Sequence, residues 1–237
     1  MFWAVTIAAA ASMVLLATSL PESRPPEQRI GRSWAGALGG DRRLLADRHF
    51  MGLVFIGAFG ISSFFAYLAH SSFVLIGHYG LTPRQYSIAF SVNAASFIGV
   101  SQFTGKLGLR FGMRRLVSVA VVGYAVTLVL LLALALAGLQ QLWLMVALLL
   151  VAYGFLGLVV PTSAVLALEE HGEIAGTASA LMGTLQFVTG AVVIAVSGLF
   201  LDGTPGPMLA SIAVCAVLAC AMARFTLGSG RTPPAVA

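Results

Sequence analysis

Seven apolar stretches constrain what this sequence can fold into: Phe2–Leu20, Phe50–Gly77, Gln85–Gly105, Leu116–Gly138, Leu142–Leu168, Ile174–Leu201 and Met208–Ala223. About 20 residues, rising 1.5 Å each along a helix, cross the roughly 30 Å hydrocarbon core of a bilayer. In lipid every backbone polar group must be satisfied internally, which leaves only helices and closed barrels. The ten-residue alternating segments of a barrel do not occur in the sequence. The expectation is therefore an all-α membrane protein with seven transmembrane helices. Composition supports it: charged residues are 9% of the 237 and hydrophobic ones 59%. A soluble domain carries about 25% charged residues, so an ordinary cytosolic enzyme is excluded, and so is a disordered chain. The first stretch opens on Met1, Phe2 and Trp3 with no lysine or arginine before it, unlike the basic start of a signal peptide. It reads as a span. Cys215 and Cys220 lie five apart in one apolar run, diverge around a helix, and read as small packing residues.

The basic residues orient the spans. Twelve of the thirteen lysines and arginines fall in 21–49, 106–115 and the tail 224–237, which lie on one side if seven spans alternate. Only Arg84 lies on the other. Cytoplasmic loops carry the excess of lysine and arginine, so the N-terminus is expected outside and the C-terminus in the cytoplasm. The net charge of +5 is thus topological, and nucleic acid is dropped as a partner; membrane lipid is the expected one. The segment 21–49 is the single long connection, with room for a short interfacial helix near Trp34–Leu38. The others are short, as between antiparallel neighbours, and Thr82-Pro83 reads as a helix cap followed by proline in the first turn.

Nothing in the sequence assembles a catalytic centre. No metal-binding spacing, paired carboxylates or phosphate loop occurs, and no cofactor or metal site is expected. A retinal protein would need a buried lysine, and the sole lysine, Lys106, lies in a loop. An intramembrane hydrolase has no nucleophile, base and orienting group that the sequence brings together. The spans hold no Asp, Glu, Lys or Arg at their middles, the usual marks of ion and proton sites.

Neutral polar residues do occur within the spans. Phe64, Tyr67 and Ser71 share one helical face, and so do Phe90, Asn93 and Phe97. Two readings stay open: hydrogen bonds between helices, or an aromatic cavity lining with a few polar groups. The cavity candidates are Tyr67, Asn93, Phe97, Tyr153 and Gln186. His70 and His78 sit near the outer end of their span, as interfacial or backbone-bonded groups or as proton sensors. His49 and His171 read as loop residues with no partner set for a metal. The sixth stretch is dense in small residues, including Gly176, Ala180, Gly183 and Gly190, and Pro161 interrupts the fifth, where a kink is expected.

Two motifs resemble a known family. The run from Gly105 through Lys106, Arg110, Phe111 and Gly112 to Arg114 and Arg115 resembles the G-x3-D-R-x-G-x-R-R loop of the major facilitator superfamily, with Leu109 where the stronger copy has Asp. The run from Pro161 through Thr162, Ser163, Glu169, His171 and Gly172 to Gly183, Thr184 and Gln186 resembles the tenth-to-eleventh helix region of its Bcr/CflA drug-resistance transporters. Leu20-Pro21-Glu22-Ser23 is similar to the end of their sixth helix, and Tyr79–Pro83 to their seventh-to-eighth connection. The resemblance covers about residues 1–225.

It implies a partial major facilitator fold. Residues 1–20 would be the sixth helix of a twelve-helix transporter, 21–49 its central cytoplasmic loop, 50–223 the six-helix C-terminal half and 224–237 the tail. The implied function is a proton-driven multidrug exporter working by alternating access in the bacterial inner membrane. Its substrate would be a small amphipathic drug, exchanged for protons. With five helices absent the chain is expected to be inactive alone. The alternatives are a half-transporter that works with a separate N-terminal half, and a membrane protein that does not transport. Gly105, Arg110, Gly112, Arg114, Arg115 and Glu169 would form the cytoplasmic gating motif, with the arginines pairing to Glu169 or Glu170.

Overall fold

A computed structural model describes residues 2–19, 42–200 and 202–228. It divides into two compact units, 1–39 and 40–237. The first is represented by one helix, α1 (Phe2–Ser19), which carries no charged residue. Its hydroxyls turn back onto their own helix, Ser12 donating to the Ala8 carbonyl at 2.8 Å and Thr18 to that of Val14 at 2.9 Å.

The second unit is a bundle of α2 (Arg48–Ser72, continued by a π-helical stretch Phe73–His78), α3 (Pro83–Ser101), α4 (Thr104–Phe111), α5 (Met113–Leu136), α6 (Leu142–Glu169), α7 (Ala175–Gly198) and α8 (Pro205–Gly228). The starts follow from capping chemistry. The Asp47 carboxylate accepts from the His49 and Phe50 amides and opens α2. Thr82 and Gln85 form a reciprocal capping box around Pro83 and open α3. Before α8, Asp202 accepts from the Thr204 hydroxyl at 2.6 Å and amide at 2.9 Å. Those bonds hold its exposed carboxyl below the usual carboxylate range.

Among the described residues, five helices are long and apolar enough to cross a membrane: Arg48–His78, Met113–Leu136, Leu142–Glu169, Gly172–Gly198 and Pro205–Gly228. The fold is all-helical among the described residues, as expected, and the described parts of the stretches read as spans fall largely on helices, the third breaking at Gln102 and Phe103 between α3 and α4. Two of the seven fall short of that standard. The described side chains of α1 cover the shorter Thr6–Ser19. The α3 helix, at 19 residues, carries Arg84, Gln85 and Asn93 and is less apolar. The segment 106–115, read as a loop, is largely the helix α4; the chain breaks only at Gly112, with φ +82° and ψ +138°. The expected kink site does not end its helix: α6 runs from Leu142 to Glu169 through Pro161, with the Thr162 and Ser163 hydroxyls on the Leu158 and Val160 carbonyls. The expected interfacial helix near Trp34 and the end of the tail lie outside the described residues; 42–46 is helical and buries Leu44.

The core centres on α2, which packs against α6, α7 and α8, while α5 fills between α6 and α8, and α3 lies on α6. Close packing in lipid relies on small residues and on van der Waals contact rather than on a hydrophobic drive. Gly157 is the described glycine that faces the backbone of another helix. A Cβ there would overlap the Phe97 carbonyl oxygen and come within 3.3 Å of the Ser101 nitrogen. The α6 backbone therefore lies directly against that of α3.

Candidate functional site

Polar ties join α2 to three neighbours, with a second bond to α3 between the Ser71 and Tyr86 hydroxyls at 3.1 Å. Asn93 on α3 donates its amide to the Tyr67 hydroxyl at 3.0 Å, Ser63 shares a hydrogen bond with Tyr124 on α5, and His70 Nε2 meets Ser197 Oγ on α7 at 2.7 Å. Around the first tie the two aromatic faces interlock. The Tyr67 ring stacks parallel on Phe90 at 5.8 Å and lies 5.4 Å from Tyr153 of α6; Phe64 stacks on Phe97 at 6.0 Å and meets Tyr153 edge-on at 5.5 Å. Pairs of this geometry each contribute about 0.5–1.5 kcal/mol beyond their buried area.

The structure thus brings Tyr67, Asn93, Phe97 and Tyr153 into one cluster. It also seals three of them: Tyr67, Asn93 and Tyr153 are 0% exposed. The faces that read as cavity walls are turned toward each other in this conformation, a choice that helical spacing alone leaves open. Two atoms in the cluster keep unused hydrogen-bonding capacity, since Asn93 Oδ1 and the Tyr153 hydroxyl are buried without a partner. Buried polar groups are nearly always paired, and these two atoms depart from that rule.

Gln186 stands apart. Its amide nitrogen lies against α2 at Gly57, 3.1 Å from where a Cβ would be, beside the Ser163 hydroxyl. Gly57 precedes Tyr67 by ten residues, about 15 Å along a helix. Two lateral grooves, each of about 470 Å³, lie elsewhere. One runs between α3 and α6 and is lined by Tyr79, Leu81, Gln85, Ile88, Trp143 and Val146. The other runs between α7 and α8, along Val193, Val196, Phe200, Pro207, Val214 and Leu218. None of the five cavity candidates lines either.

At the basic end, α4 is a short amphipathic helix. Arg110 lays its guanidinium over the Phe111 ring at 5.2 Å from the centroid, a cation–π contact. Gly105 is open, with nothing within 4 Å of where a Cβ would stand. Gly112 has a backbone conformation that a side chain resists. Gly112→Ala is expected to lose about 1 kcal/mol of stability, seen as a lower thermal midpoint in detergent; Gly105→Ala is the control without strain. Arg114 and Arg115 sit in the first turn of α5, and Glu169 and Glu170 close α6. Both sets oppose the local helix dipoles, so helix electrostatics do not place them there. Glu170 faces His49, with Nε2 4.0 Å from Oε1. Beside that pair, His171 Nε2 lies 3.3 Å from Asp47 Oδ2. Neither contact is legible in the sequence, where both histidines read as loop residues and no spacing links them to these carboxylates.

Residues 1–194 match the Major Facilitator Superfamily. Among curated proteins, the chain is 31% identical over 206 residues to an uncharacterized MFS-type transporter of Bacillus subtilis, YdgK, covering 87% of this chain and 51% of that protein. It is 26% identical over 229 residues to a bicyclomycin resistance protein homolog of Haemophilus influenzae, covering 92% of this chain and 54% of that one. The chain spans about half the length of these relatives.

Proposed function

Because this chain belongs to the major facilitator superfamily, a family of multi-pass membrane transporters rather than enzymes, we propose that it forms the C-terminal part of a proton-driven exporter of drug-like molecules, working by alternating access. The observation that carries this reading is the state of α7. Only 6% of that span is buried, against 44–61% of the other four long spans. Its exposed face holds Phe187, Val188, Val192 and Val196 together with Gly176 and Gly183, where nothing lies within 4 Å of an added Cβ. Small residues allow helices to approach closely in lipid, and a face of this kind suits a second helical half. Half-length coverage of the relatives supports the same arrangement, and the bicyclomycin resistance homolog supports a drug as cargo. Substrate would meet Phe97 and Gln186, and would reach Tyr67, Asn93 and Tyr153 once α3 and α6 shift. The gating motif of α4 and α5 (Gly105, Arg110, Gly112, Arg114, Arg115), with Glu169, would control the cytoplasmic end in a bacterial inner membrane, with the N-terminus outside. Protons would enter through the other half, since these spans carry no carboxylate at their middles.

The test compares residues 1–237 with the product that an antibody to 224–237 detects in source membranes. A product of about twice the length, driving proton-dependent drug uptake in everted vesicles while the chain alone does not, is expected. Uptake by the chain alone overturns the shared-half reading, and none by the longer product overturns export. Gly183→Leu separates the two states of α7. It is expected to leave the stability of the chain alone unchanged, because the site is empty, and to reduce transport by the longer product at least tenfold, about 1.4 kcal/mol of lost assembly. Vesicle uptake and detergent melting measure the two.

A further inference from the structure

A groove of about 190 Å³ opens between the start of α5 and the end of α8. Its walls include Ser118, Val121 and Val122 on α5 and Ala223, Arg224 and Leu227 on α8. None of the cavity candidates lines it, and it is smaller than the roughly 300–1,000 Å³ of pockets that enclose drug-sized molecules. The Ser118 hydroxyl already donates to the Arg114 carbonyl at 2.9 Å. Arg224 is therefore the donor that the groove keeps for a guest.

The charge around the groove is of one sign. From residue 48 to 168 the sequence holds no aspartate or glutamate, and α8 holds none. Lys106, Arg110, Arg114 and Arg115 meanwhile crowd α4 and the first turn of α5. That turn is the positive end of its helix and has no side-chain cap. Arg115 is exposed and precedes Ser118 by three residues and Val122 by seven, so it stands on the groove side of α5. Arg224 is exposed, and among the described residues no carboxylate pairs with it. The acids at this end of the bundle belong to the junction of α2 with α6, where Asp47 meets His171 and Glu170 meets His49.

Apolar tracks lead away from the two cations. Arg115, Val119, Val122 and Val126 recur at helical spacing along α5, and Val217, Cys220 and Arg224 do so on α8. Val119, Val126 and Val217 are exposed. A ligand matched to this surface carries an anionic group at one end and long apolar chains at the other.

We propose that this groove binds an anionic diacyl phospholipid: Arg224 and Arg115 hold its phosphate, and its chains lie along Val119, Val122 and Val126. Guanidinium groups take phosphate oxygens through paired N–H donors, and basic pockets between spanning helices bind anionic head groups. The inference stands on the groove between α5 and α8 alone and is independent of the transport reading.

The test is native mass spectrometry of the whole chain in detergent, with dioleoylphosphatidylglycerol added in steps. One retained lipid per chain is expected. Dioleoylphosphatidylcholine, with the same chains and no net charge, is expected to bind at least about fivefold more weakly. R224Q and R115Q are each expected to weaken phosphatidylglycerol binding roughly fivefold, the effect of one basic residue at an anionic lipid surface. R84Q removes an equally exposed arginine at the start of α3 and is expected to change nothing. V122F fills the groove while keeping every arginine, and is expected to abolish the retained lipid. R224Q alters an exposed side chain, so its circular dichroism is expected to match the parent. Phosphatidylcholine bound as tightly as phosphatidylglycerol, unchanged binding in R224Q, or a loss in R84Q equal to that in R224Q would each overturn the proposal. Displacement of the lipid by soluble glycerol phosphate would show a site for the anion alone, and would overturn it too.

Discussion

Gly157→Leu is expected to drive α3 off α6 and to cost about 3 kcal/mol or more. Overpacking a well-filled site costs 1–3 kcal/mol when side chains can yield. Here the obstacle is the backbone of Phe97, with the Ser101 nitrogen 3.3 Å from the first added carbon. A helix backbone has no rotamer to change, so the helices must part. Separation would also break the bond from the Ser96 hydroxyl to the Leu150 carbonyl, 2.8 Å long, and loosen Phe97 from Phe64. Gly190→Ala is the comparison, because its first added carbon meets the Phe65 side chain, which can turn aside. Unfolding midpoints in detergent should rank Gly157→Leu far below Gly157→Ala, with Gly190→Ala nearer the parent. A Gly157→Leu protein as stable as the parent would mean that α3 and α6 do not touch there.

Tyr67→Phe and Tyr153→Phe each remove one buried hydroxyl from one cluster, yet opposite outcomes are expected. Tyr67 is the partner of Asn93. Without it the Asn93 side chain is buried with neither nitrogen nor oxygen bonded in the cluster, and about 2 kcal/mol is lost. The Tyr153 hydroxyl has no partner, so its removal is neutral or stabilising. Tyr67→Phe combined with Asn93→Leu should recover most of the loss, because both partners are then apolar. Melting curves of the four proteins decide the structural half. The functional half is read in the longer product. If cargo uses the free hydroxyl, Tyr153→Phe lowers transport while stability holds. A Tyr153→Phe protein that melts well below the parent would mean that the hydroxyl already has a partner.

The helices were legible because span length and apolar composition are local properties. Phe50–Gly77 became Arg48–His78, and Leu142–Leu168 became Leu142–Glu169, within a residue or two. Capping chemistry at Thr82 was readable for the same reason. Which way a polar stripe faces is not local. The Phe64–Tyr67 and Phe90–Asn93–Phe97 stripes could line a cavity or join each other, and the structure joins them while leaving Gln186 outside the group. Contacts between the start of α2 and the end of α6 were equally hidden. Asp47 and His171 are separated by five helices in sequence, and nothing in their spacing signals that they meet.

The hydroxyls that turn back onto their own helices bear on how such a chain reaches the membrane. Ser12, Thr18, Ser62, Thr127, Thr162, Thr184, Thr189 and Ser211 each bond the carbonyl four residues earlier. Such a side chain presents little bare polarity to lipid before any neighbour arrives. Each span can therefore enter the bilayer singly, in the order of synthesis. Other groups find their partners on a second helix: the Asn93 amide with the Tyr67 hydroxyl, Ser63 with Tyr124, Ser71 with Tyr86, Ser96 with the Leu150 carbonyl, and His70 with Ser197. Errors in those residues should leave correctly inserted helices that fail to associate, so the damage would fall on assembly, after insertion is complete.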